Sequence, residues 1–215
     1  SLFASVYNLE CPFVSKIYTE IHQFISQWIT QFLYIGKEWH QEAKNVVENI
    51  VFQWWKVHTI INNEDISTIP FVWPFAILSQ TTLNFSLIQD LIHQIQQQFP
   101  QALLPKISDI CKATYERQWV IKNFASEFQT LVVIWGKESS NTKELCSIGQ
   151  QLGKTVFFGE WLFDLLKNTD FLNQKETNVA VTWGASTPIE DILEILDWYE
   201  KKWYTKKTLV FNQHI

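Results

Sequence analysis

The chain has 215 residues, of which 47% are hydrophobic and 18% are charged, and its formal net charge is −5. This hydrophobic content is enough to bury a sizeable core, as one large domain or two small ones. The acidic balance disfavours nucleic-acid binding, which needs clustered Lys and Arg, and no apolar run approaches the length of a transmembrane helix. The three cysteines are far apart and odd in number, which argues against a secreted disulfide framework.

Short apolar runs, each followed by a polar loop, recur along the chain. Continuous apolar runs bounded by turn residues are typical of strands that are buried on both faces. The predicted strands are Leu2–Tyr7, Phe32–Ile35, Phe75–Leu78, Leu131–Trp135 and Val179–Thr182, with weaker ones at Thr155–Phe158 and Thr208–Phe211.

Between the predicted strands, apolar residues recur with the period of a helix. Such stripes run through residues 14–29, 87–95 and 189–196. The alternation of strands and helices predicts an α/β fold with mostly parallel sheets. Pro100, Pro105 and the polar residues between them interrupt the pattern. We therefore predict two similar small α/β domains, at residues 1–104 and 105–215.

The loops that follow the predicted strands hold most of the chemically versatile side chains. Ligands of open parallel sheets bind beyond the carboxyl ends of the strands. Ser, Thr and Asn donors near a helix N-terminus suit an anion such as diphosphate, and thiols suit a soft metal or cluster. Each residue alone has a plainer interpretation, as a structural cysteine, a capping loop or a solvated His or Glu. Their joint occurrence at strand ends favours a ligand site.

Six loop motifs, in order along the chain, resemble those of the 4-hydroxy-3-methylbut-2-enyl diphosphate reductase family (LytB/IspH). The motifs are Cys11-Pro12-Phe13-Val14-Ser15-Lys16, His40-Gln41-Glu42, Ser79-Gln80-Thr81-Thr82-Leu83, Asp109-Ile110-Cys111 through Thr114, Ser139-Ser140-Asn141-Thr142 and Thr182-Trp183-Gly184-Ala185-Ser186-Thr187-Pro188. The family's counterparts are Cys-Pro-Leu-Val-Thr-Lys, His-Pro-Glu, Thr-Gln-Thr-Thr-Leu, Asp-Ile-Cys-x-Ala-Thr, Ser-Ser-Asn-Ser and Thr-Ala-Gly-Ala-Ser-Ala-Pro. The resemblance implies two of the three α/β units of the family's fold.

The resemblance also implies a 4Fe–4S cluster, with Cys11 and Cys111 as two of its protein ligands and Thr114 just behind them. It implies that Glu42, with Thr81 beside it, delivers the proton that lets the substrate hydroxyl leave as water. The diphosphate-binding residues that it implies are His40, Ser139, Ser140, Asn141 and Ser186. The implied reaction is a reductive dehydroxylation giving isopentenyl and dimethylallyl diphosphates, with electrons from a ferredoxin- or flavodoxin-type donor.

The family's third cluster cysteine belongs to an N-terminal unit that precedes the Cys-Pro motif and is absent from these residues. Cys146 lies outside every motif, and we predict that it is a buried structural thiol. A chain that opens at Ser1 inside an apolar run, without Met, favours a fragment of a longer enzyme. Departures from the family's motifs within the loops favour a diverged homologue. The alternative function is therefore a non-catalytic diphosphate-binding or protein-interaction module on the same fold, without a cluster.

Departures from the family pattern concentrate in the loops. Lys37 stands where the family has a first His, and Gln41 stands where it has Pro. Glu138 replaces the usual Asn, which predicts a negative charge beside the phosphate site. Trp183 brings a large side chain into a loop of small residues.

The expected partners are a small allylic diphosphate and an electron donor, with no nucleic acid and no membrane. The cysteine usage fits a reducing compartment, so we expect a cytoplasmic protein, with a plastid as the alternative. Under the binding-module alternative, Trp54, Trp55 and Trp73 are the candidate surface for a protein partner.

Overall fold

The computed structural model describes residues 12–71, 74–105, 109–134, 136–173, 178–184 and 187–202, with only the backbone of residues 12–14. In chain order, the strands and α-helices are α1 (Pro12–Ser26), β1 (Gln31–Ile35), α2 (Gln41–Phe52), β2 (Lys56–Ile60), β3 (Ala76–Ser79), α3 (Phe85–Gln98), α4 (Lys112–Asn123), β4 (Thr130–Ile134), α5 (Ser140–Gln151), β5 (Thr155–Gly159), α6 (Leu162–Leu166), α7 (Thr169–Leu172), β6 (Val179–Trp183) and α8 (Ile189–Lys201). Short 3-10 helices span Glu64–Thr68 and Ala125–Glu127. Within these described ranges, no helix is long and apolar enough to cross a membrane.

The first unit is built on a parallel sheet with the strand order β2-β1-β3. Successive side chains of a strand point to opposite faces. Accordingly, Leu33 and Ile35 of β1 pack with α3, whereas Phe32 and Tyr34 pack with α1 and α2. The sheet is covered by helices on both faces, which explains why β1 and β3 read as continuous apolar runs.

The second unit repeats this arrangement with the strand order β5-β4-β6, again with parallel pairs. The central strand β4 is buried along its whole length. Its residues Val132 and Ile134 pack with α6, α7 and α8, and Leu131 and Val133 pack with α5 and the end of α4. The α/β class with parallel sheets, predicted from the alternation of strands and helices, is confirmed.

The two compact units divide after Tyr115, whereas the sequence pattern placed the division at 104/105. The Asp-Ile-Cys segment between these points is held by the first unit. The Ser79 N–H donates to Asp109 Oδ2 (2.7 Å), and the Cys111 N–H donates to the Thr81 carbonyl (3.0 Å). These bonds attach the segment to the end of β3, beyond the prolines that suggested a boundary.

The sequence predicts some of the strands better than others. The runs predicted around β1, β3, β4, β5 and β6 are strands, but β2 was missed. β2 carries Lys56, His58 and Thr59, and it is half-exposed at the edge of its sheet. An edge strand does not need an apolar run, because one side of it meets solvent. The runs predicted at Leu2–Tyr7 and Thr208–Phe211 lie outside the described residues.

Trp28 and Trp54 follow the ends of α1 and α2 with φ angles of 65° and 66°. Glycine adopts this left-handed backbone without strain, and it is the usual residue at that position. The Trp54 side chain is 96% exposed, so little packing offsets the strain. We expect Trp54→Gly to raise the free energy of unfolding by roughly 0.5–1 kcal/mol, measured by urea denaturation.

The neighbouring Trp55 gives a matched control for this prediction. Its ring lies 6.4 Å from that of Phe32, centroid to centroid, and it packs on the core beside α1 and α2. Trp55→Gly is therefore expected to lower the stability. A loss of stability for Trp54→Gly as well would mean that the exposed ring contributes packing that outweighs the backbone strain.

Candidate functional site

Three of the predicted site residues meet at the loop that follows β3. Glu42 Oε1 accepts a hydrogen bond from the Thr81 N–H (2.7 Å), and Glu42 Oε2 accepts one from the Thr81 hydroxyl (2.9 Å). The Thr81 carbonyl accepts the Cys111 N–H (3.0 Å). Glu42 and Thr81 are buried, and Cys111 is half-buried. The Glu42 carboxyl and the Cys111 backbone N–H come from distant segments and thus share Thr81 as a hydrogen-bonding partner at the carboxyl edge of the first sheet.

Burial sets the acidity of Glu42. It raises the pKa of this carboxyl above its ordinary value of 4.5, and the two hydrogen bonds from Thr81 offset only part of that effect. The carboxyl therefore keeps its proton to a higher pH than an exposed glutamate does. A buried, hydrogen-bonded carboxyl with a raised pKa suits a proton donor.

His40 is placed next to Glu42 by the start of α2. It is the N-cap of this helix, and its Nδ1 accepts the Glu42 N–H (3.2 Å). A neutral imidazole whose Nδ1 accepts carries its proton on Nε2. The geometry therefore assigns His40 the tautomer in which Nε2 is the donor, which is the form needed to donate to an anion.

The departures from the family pattern in this loop make contacts of their own. The Lys37 ammonium lies 5.7 Å from the centroid of the exposed Trp39 ring, and the Lys37 N–H donates to Gln80 Oε1 (3.1 Å). Gln41 Nε2 donates to Asn45 Oδ1 (2.7 Å), one turn further along α2. The glutamine at the position of the family's proline thus forms a local pair on the helix surface.

Ionisable groups also lie behind the loop, where sequence reasoning proposed no role. Burial raises the pKa of Asp109 well above its ordinary value, and the neighbouring Glu20 carboxyl raises it further, whereas the Ser79 N–H and Lys16 lower it. The Tyr34 hydroxyl is buried, and it has no hydrogen-bonding partner within the described part of the chain. Burial, followed by the charges of Glu42 and Asp109, raises its pKa far above the usual value for tyrosine.

Lys16 and Asp109 stand inside two of the quoted motifs, so their positions were visible in the sequence. Nothing in the spacing of the motifs indicated that these two side chains meet. Thr114 is buried in the first turn of α4, three residues after Cys111, which directly precedes the helix. The role of Thr114 behind Cys111 stays a prediction.

The Ser-Ser-Asn motif forms the start of α5 in the second unit. Gly136 has a φ of 63°, which lets the chain turn tightly so that the Ser139 N–H donates to the Gly136 carbonyl (2.8 Å). Ser139 is the N-cap of α5, and its hydroxyl oxygen accepts the Thr142 N–H (3.3 Å). A capping serine that accepts from the helix keeps its own O–H proton, which it is able to donate to an anion at the helix N-terminus.

Asn141 is the unusual residue of this turn. Its side chain is buried, and among the described residues neither its amide nitrogen nor its amide oxygen has a hydrogen-bonding partner. The same holds for the Thr142 hydroxyl. A buried polar group without a partner costs about 1–3 kcal/mol. Unsatisfied donors next to a helix N-terminus are what an anion site requires before its ligand binds.

Glu138 affects this turn less than its sequence position suggests. Its side chain is 95% exposed, and its carboxylate lies 3.0 Å from the Lys143 ammonium. The negative charge expected beside the loop is therefore paired and solvated. Trp183 ends β6 half-buried, and the Arg117 guanidinium lies 6.0 Å from its ring centroid.

Cys146 lies in α5, half-buried against the core of the second unit. Burial raises the pKa of its thiol to about 11. Because thiolates are the reactive form, we expect Cys146 to be the slowest of the three cysteines to react with iodoacetamide at pH 8, measured by peptide mass spectrometry. Equal rates in the folded and urea-unfolded chain would contradict this expectation.

Several of the predicted residues lie outside the described residues, namely Cys11, Ser186 and Trp73. The residues that the structure describes contain no group of three or more His, Cys, Asp or Glu side chains arranged to hold a metal ion. The chemistry of Cys111 suits a soft metal, since it presents a half-buried thiol at a strand edge.

Comparisons with known proteins agree with the motifs. The family model described as LytB protein matches residues 2–200. A 4-hydroxy-3-methylbut-2-enyl diphosphate reductase of Alkaliphilus oremlandii is 32% identical over 195 residues, covering 87% of this chain and 64% of that protein. The protein of the same name from Methylococcus capsulatus is 28% identical, covering 85% of this chain and 58% of its own length. The chain thus spans about 60% of the curated relatives that it matches.

Two solved structures share the fold. The structure of the E-1-hydroxy-2-methyl-but-2-enyl-4-diphosphate reductase from Plasmodium falciparum matches 87% of this chain and 57% of its own, with a TM-score of 0.77 and 20% identity. A second structure, of an (E)-4-hydroxy-3-methyl-but-2-enyl diphosphate reductase, matches 89% of this chain and 66% of its own, with a TM-score of 0.54 and 24% identity.

Proposed function

The chain belongs to the LytB family, and from that membership we propose that it carries the proton-donating and thiol-bearing part of an iron–sulfur reductase. The proposed reaction converts 4-hydroxy-3-methylbut-2-enyl diphosphate into isopentenyl and dimethylallyl diphosphates. The carbon–oxygen bond of the alcohol breaks with uptake of two electrons. One proton leaves with the hydroxyl as water, and a second proton forms the new carbon–hydrogen bond.

One observation carries this proposal: Glu42 and Cys111 are joined through Thr81 at a carboxyl strand edge. A leaving hydroxyl needs a positioned acid within hydrogen-bond reach, and a soft metal needs a thiolate. In the first unit, the Glu42 carboxyl and the backbone of the thiol-bearing Cys111 are bonded to the same residue. Thr81 fixes both carboxyl oxygens of Glu42, so the acid is held in one orientation before a substrate binds.

We assign Cys111 and Cys11 as two ligands of a 4Fe–4S cluster, whose role when bound is to supply the electrons and an iron for the substrate oxygen. Glu42 is the proposed donor of the proton to the leaving hydroxyl, because burial raises the pKa of its carboxyl and so favours the protonated form. Thr114 is assigned a place behind Cys111. A ferredoxin- or flavodoxin-type protein is the proposed electron donor.

From the family resemblance, we assign diphosphate binding to His40, Ser139, Ser140, Asn141 and Ser186. His40 offers Nε2–H at the start of α2, and Ser139, Ser140 and Asn141 offer hydroxyls and an amide at the start of α5. Ser186 completes the proposed set. Several fixed donors are needed because a diphosphate is multiply charged, and hydrogen bonds to charged oxygens are the strong ones.

Iron and sulfide content of the full chain, purified without oxygen, tests the cluster. We expect brown protein that absorbs near ~400 nm, as iron–sulfur proteins do. Cys111→Ser is expected to lose most of the iron, whereas Cys146→Ser, in the second unit, keeps it. Wild-type protein that retains no iron after reconstitution with ferrous iron and sulfide would overturn the cluster assignment.

A second candidate is a diphosphate-binding module without a cluster. The unsatisfied amide of Asn141 favours it, because this feature needs no thiol. It predicts that iron-free protein is stabilised against heat by millimolar inorganic diphosphate while wild-type protein binds no iron. Cluster formation in wild-type protein that is lost in Cys111→Ser would decide against this candidate.

A further inference from the structure

Three charged side chains connect α1 to the segment that carries Cys111. Lys16 Nζ lies 3.4 Å from Glu20 Oε1, one turn further along α1, and 4.0 Å from Asp109 Oδ1. The Glu20 and Asp109 side chains are only 8% and 1% exposed, and the Lys16 ammonium lies within 4.0 Å of an oxygen of each. We call Lys16, Glu20 and Asp109 the charged cluster.

Asp109, the member of the charged cluster that lies outside α1, is also bonded to the first sheet. Asp109 Oδ2 accepts the Ser79 N–H (2.7 Å) at the end of β3. Two residues later along the chain, the Cys111 N–H donates to the Thr81 carbonyl (3.0 Å). The Asp-Ile-Cys segment is thus held at two points across the loop that also positions Glu42.

Stability alone does not explain these charges. Removing three ionisable groups from water is costly, and apolar residues of similar size often stabilise a protein as well or better. α1 already packs on the sheet through Ile17, Ile21 and Phe24. Apolar contacts of this kind tolerate a helix that slides or rotates, whereas a buried charge favours the placement that keeps its opposite charge close. What the cluster adds is one defined position of α1 relative to Asp109.

We infer that Lys16, Glu20 and Asp109 are positioning residues that hold α1, which begins one residue after Cys11, in a fixed place against the segment that presents Cys111. The inference rests on the proposed function, in which both cysteines serve one cluster. It gives Lys16 of the Cys-Pro motif and Asp109 of the Asp-Ile-Cys motif a shared task, and it adds Glu20, which lies in none of the quoted motifs.

Cross-linking of the two thiols measures this positioning directly. Dibromobimane becomes strongly fluorescent only after both of its arms have alkylated thiols that lie close together. The test uses iron-free full chain in a Cys146→Ala background at one pH. Lys16→Met with Glu20→Gln removes the charges in near-isosteric form, so that the fold is kept. We expect the cross-linking rate of Cys11 with Cys111 to fall about tenfold, as the local thiol concentration falls.

Three further variants separate positioning from general stability. Lys16→Arg keeps the charge and is expected to restore most of the rate. Lys201→Met with Asp197→Asn removes another helical ion pair whose residues are also four positions apart, with the charged atoms 2.6 Å from each other. This variant is expected to leave the rate unchanged. Asp109→Asn is the second test of the cluster, should the double variant unfold, and we expect it to slow cross-linking as well.

The outcomes distinguish the positioning inference from the proposed function. Folded double variant or Asp109→Asn protein that cross-links as fast as the parent overturns the inference, even if wild-type protein binds iron. Loss of cross-linking in the cluster variants upholds the inference, even if wild-type protein fails the iron test and the reductase proposal falls. A parent protein whose thiols do not cross-link overturns the inference, whatever the iron content is.

Discussion

Replacing Glu42 by glutamine is expected to lower the rate of reductive dehydroxylation by about 10²–10⁴-fold in cluster-loaded protein, the range for loss of a positioned proton donor. The amide keeps the size of the carboxyl and an acceptor for the Thr81 N–H, but it has no acidic proton to give. Substrate turnover with a chemical reductant measures the effect. Glu38→Gln, an exposed residue of the same loop, is the matched control and is expected to leave the rate unchanged.

The same substitution has a signature that does not depend on activity. Because burial raises the pKa of Glu42, the folded chain binds its proton more tightly than the unfolded chain, whose glutamate titrates near 4.5. Stability therefore falls as the pH rises from 4.5 through the folded pKa, and the loss persists above it. Glu42→Gln removes this loss, so we expect the variant to be the more stable protein at pH 7–8 and the difference to disappear below pH 4.5.

Urea denaturation across this pH range checks the expectation. Thr81→Val provides a second comparison, because it removes the hydroxyl that donates to Glu42 Oε2 but keeps the backbone donor. Its stability should decrease most at high pH, where the carboxylate needs that donor. Identical pH profiles for wild-type and Glu42→Gln protein would mean that Glu42 titrates as an ordinary exposed carboxyl, and it would lose its role as proton donor.

The sequence predicted much of this edge of the sheet because parallel strands end together. Once β1 and β3 are placed by their apolar runs, the loops that carry Glu42 and Thr81 must be neighbours. The class of fold and the position of most strands therefore followed from local patterns. The position of β2 did not follow, because this strand lies half-exposed at the edge of its sheet and its residues do not form an apolar run.

Contacts between distant segments could not be predicted from the sequence. Pro100 and Pro105 suggested a division, yet two backbone-anchored bonds assign Asp109 and Cys111 to the first unit. Whether a proline ends a domain depends on what the following residues bind, which no local pattern records. In the same way, the link between Lys16 and Asp109 depends on packing α1 against the sheet.

Asn141 shows most directly how stability and function oppose each other in this chain. Its buried amide has no partner within the described ranges, and leaving such groups unpaired costs about 1–3 kcal/mol. Asn141→Leu keeps the branched shape and removes both polar atoms. We expect the variant to be more stable than wild type by about 1–3 kcal/mol without ligand, measured by urea denaturation.

In the presence of inorganic diphosphate the order should reverse. A ligand at a hundredfold excess over its dissociation constant stabilises the folded state by about 2.7 kcal/mol, and Asn141→Leu should lose most of this gain. Asn168→Leu is the matched control, because its side-chain oxygen is already used to cap α7 through the Asp170 and Phe171 N–H groups. That control should lose about 1 kcal/mol of stability and keep the diphosphate effect. If Asn141→Leu instead destabilised the chain like Asn168→Leu, the amide would be a structural cap and not a group held ready for an anion.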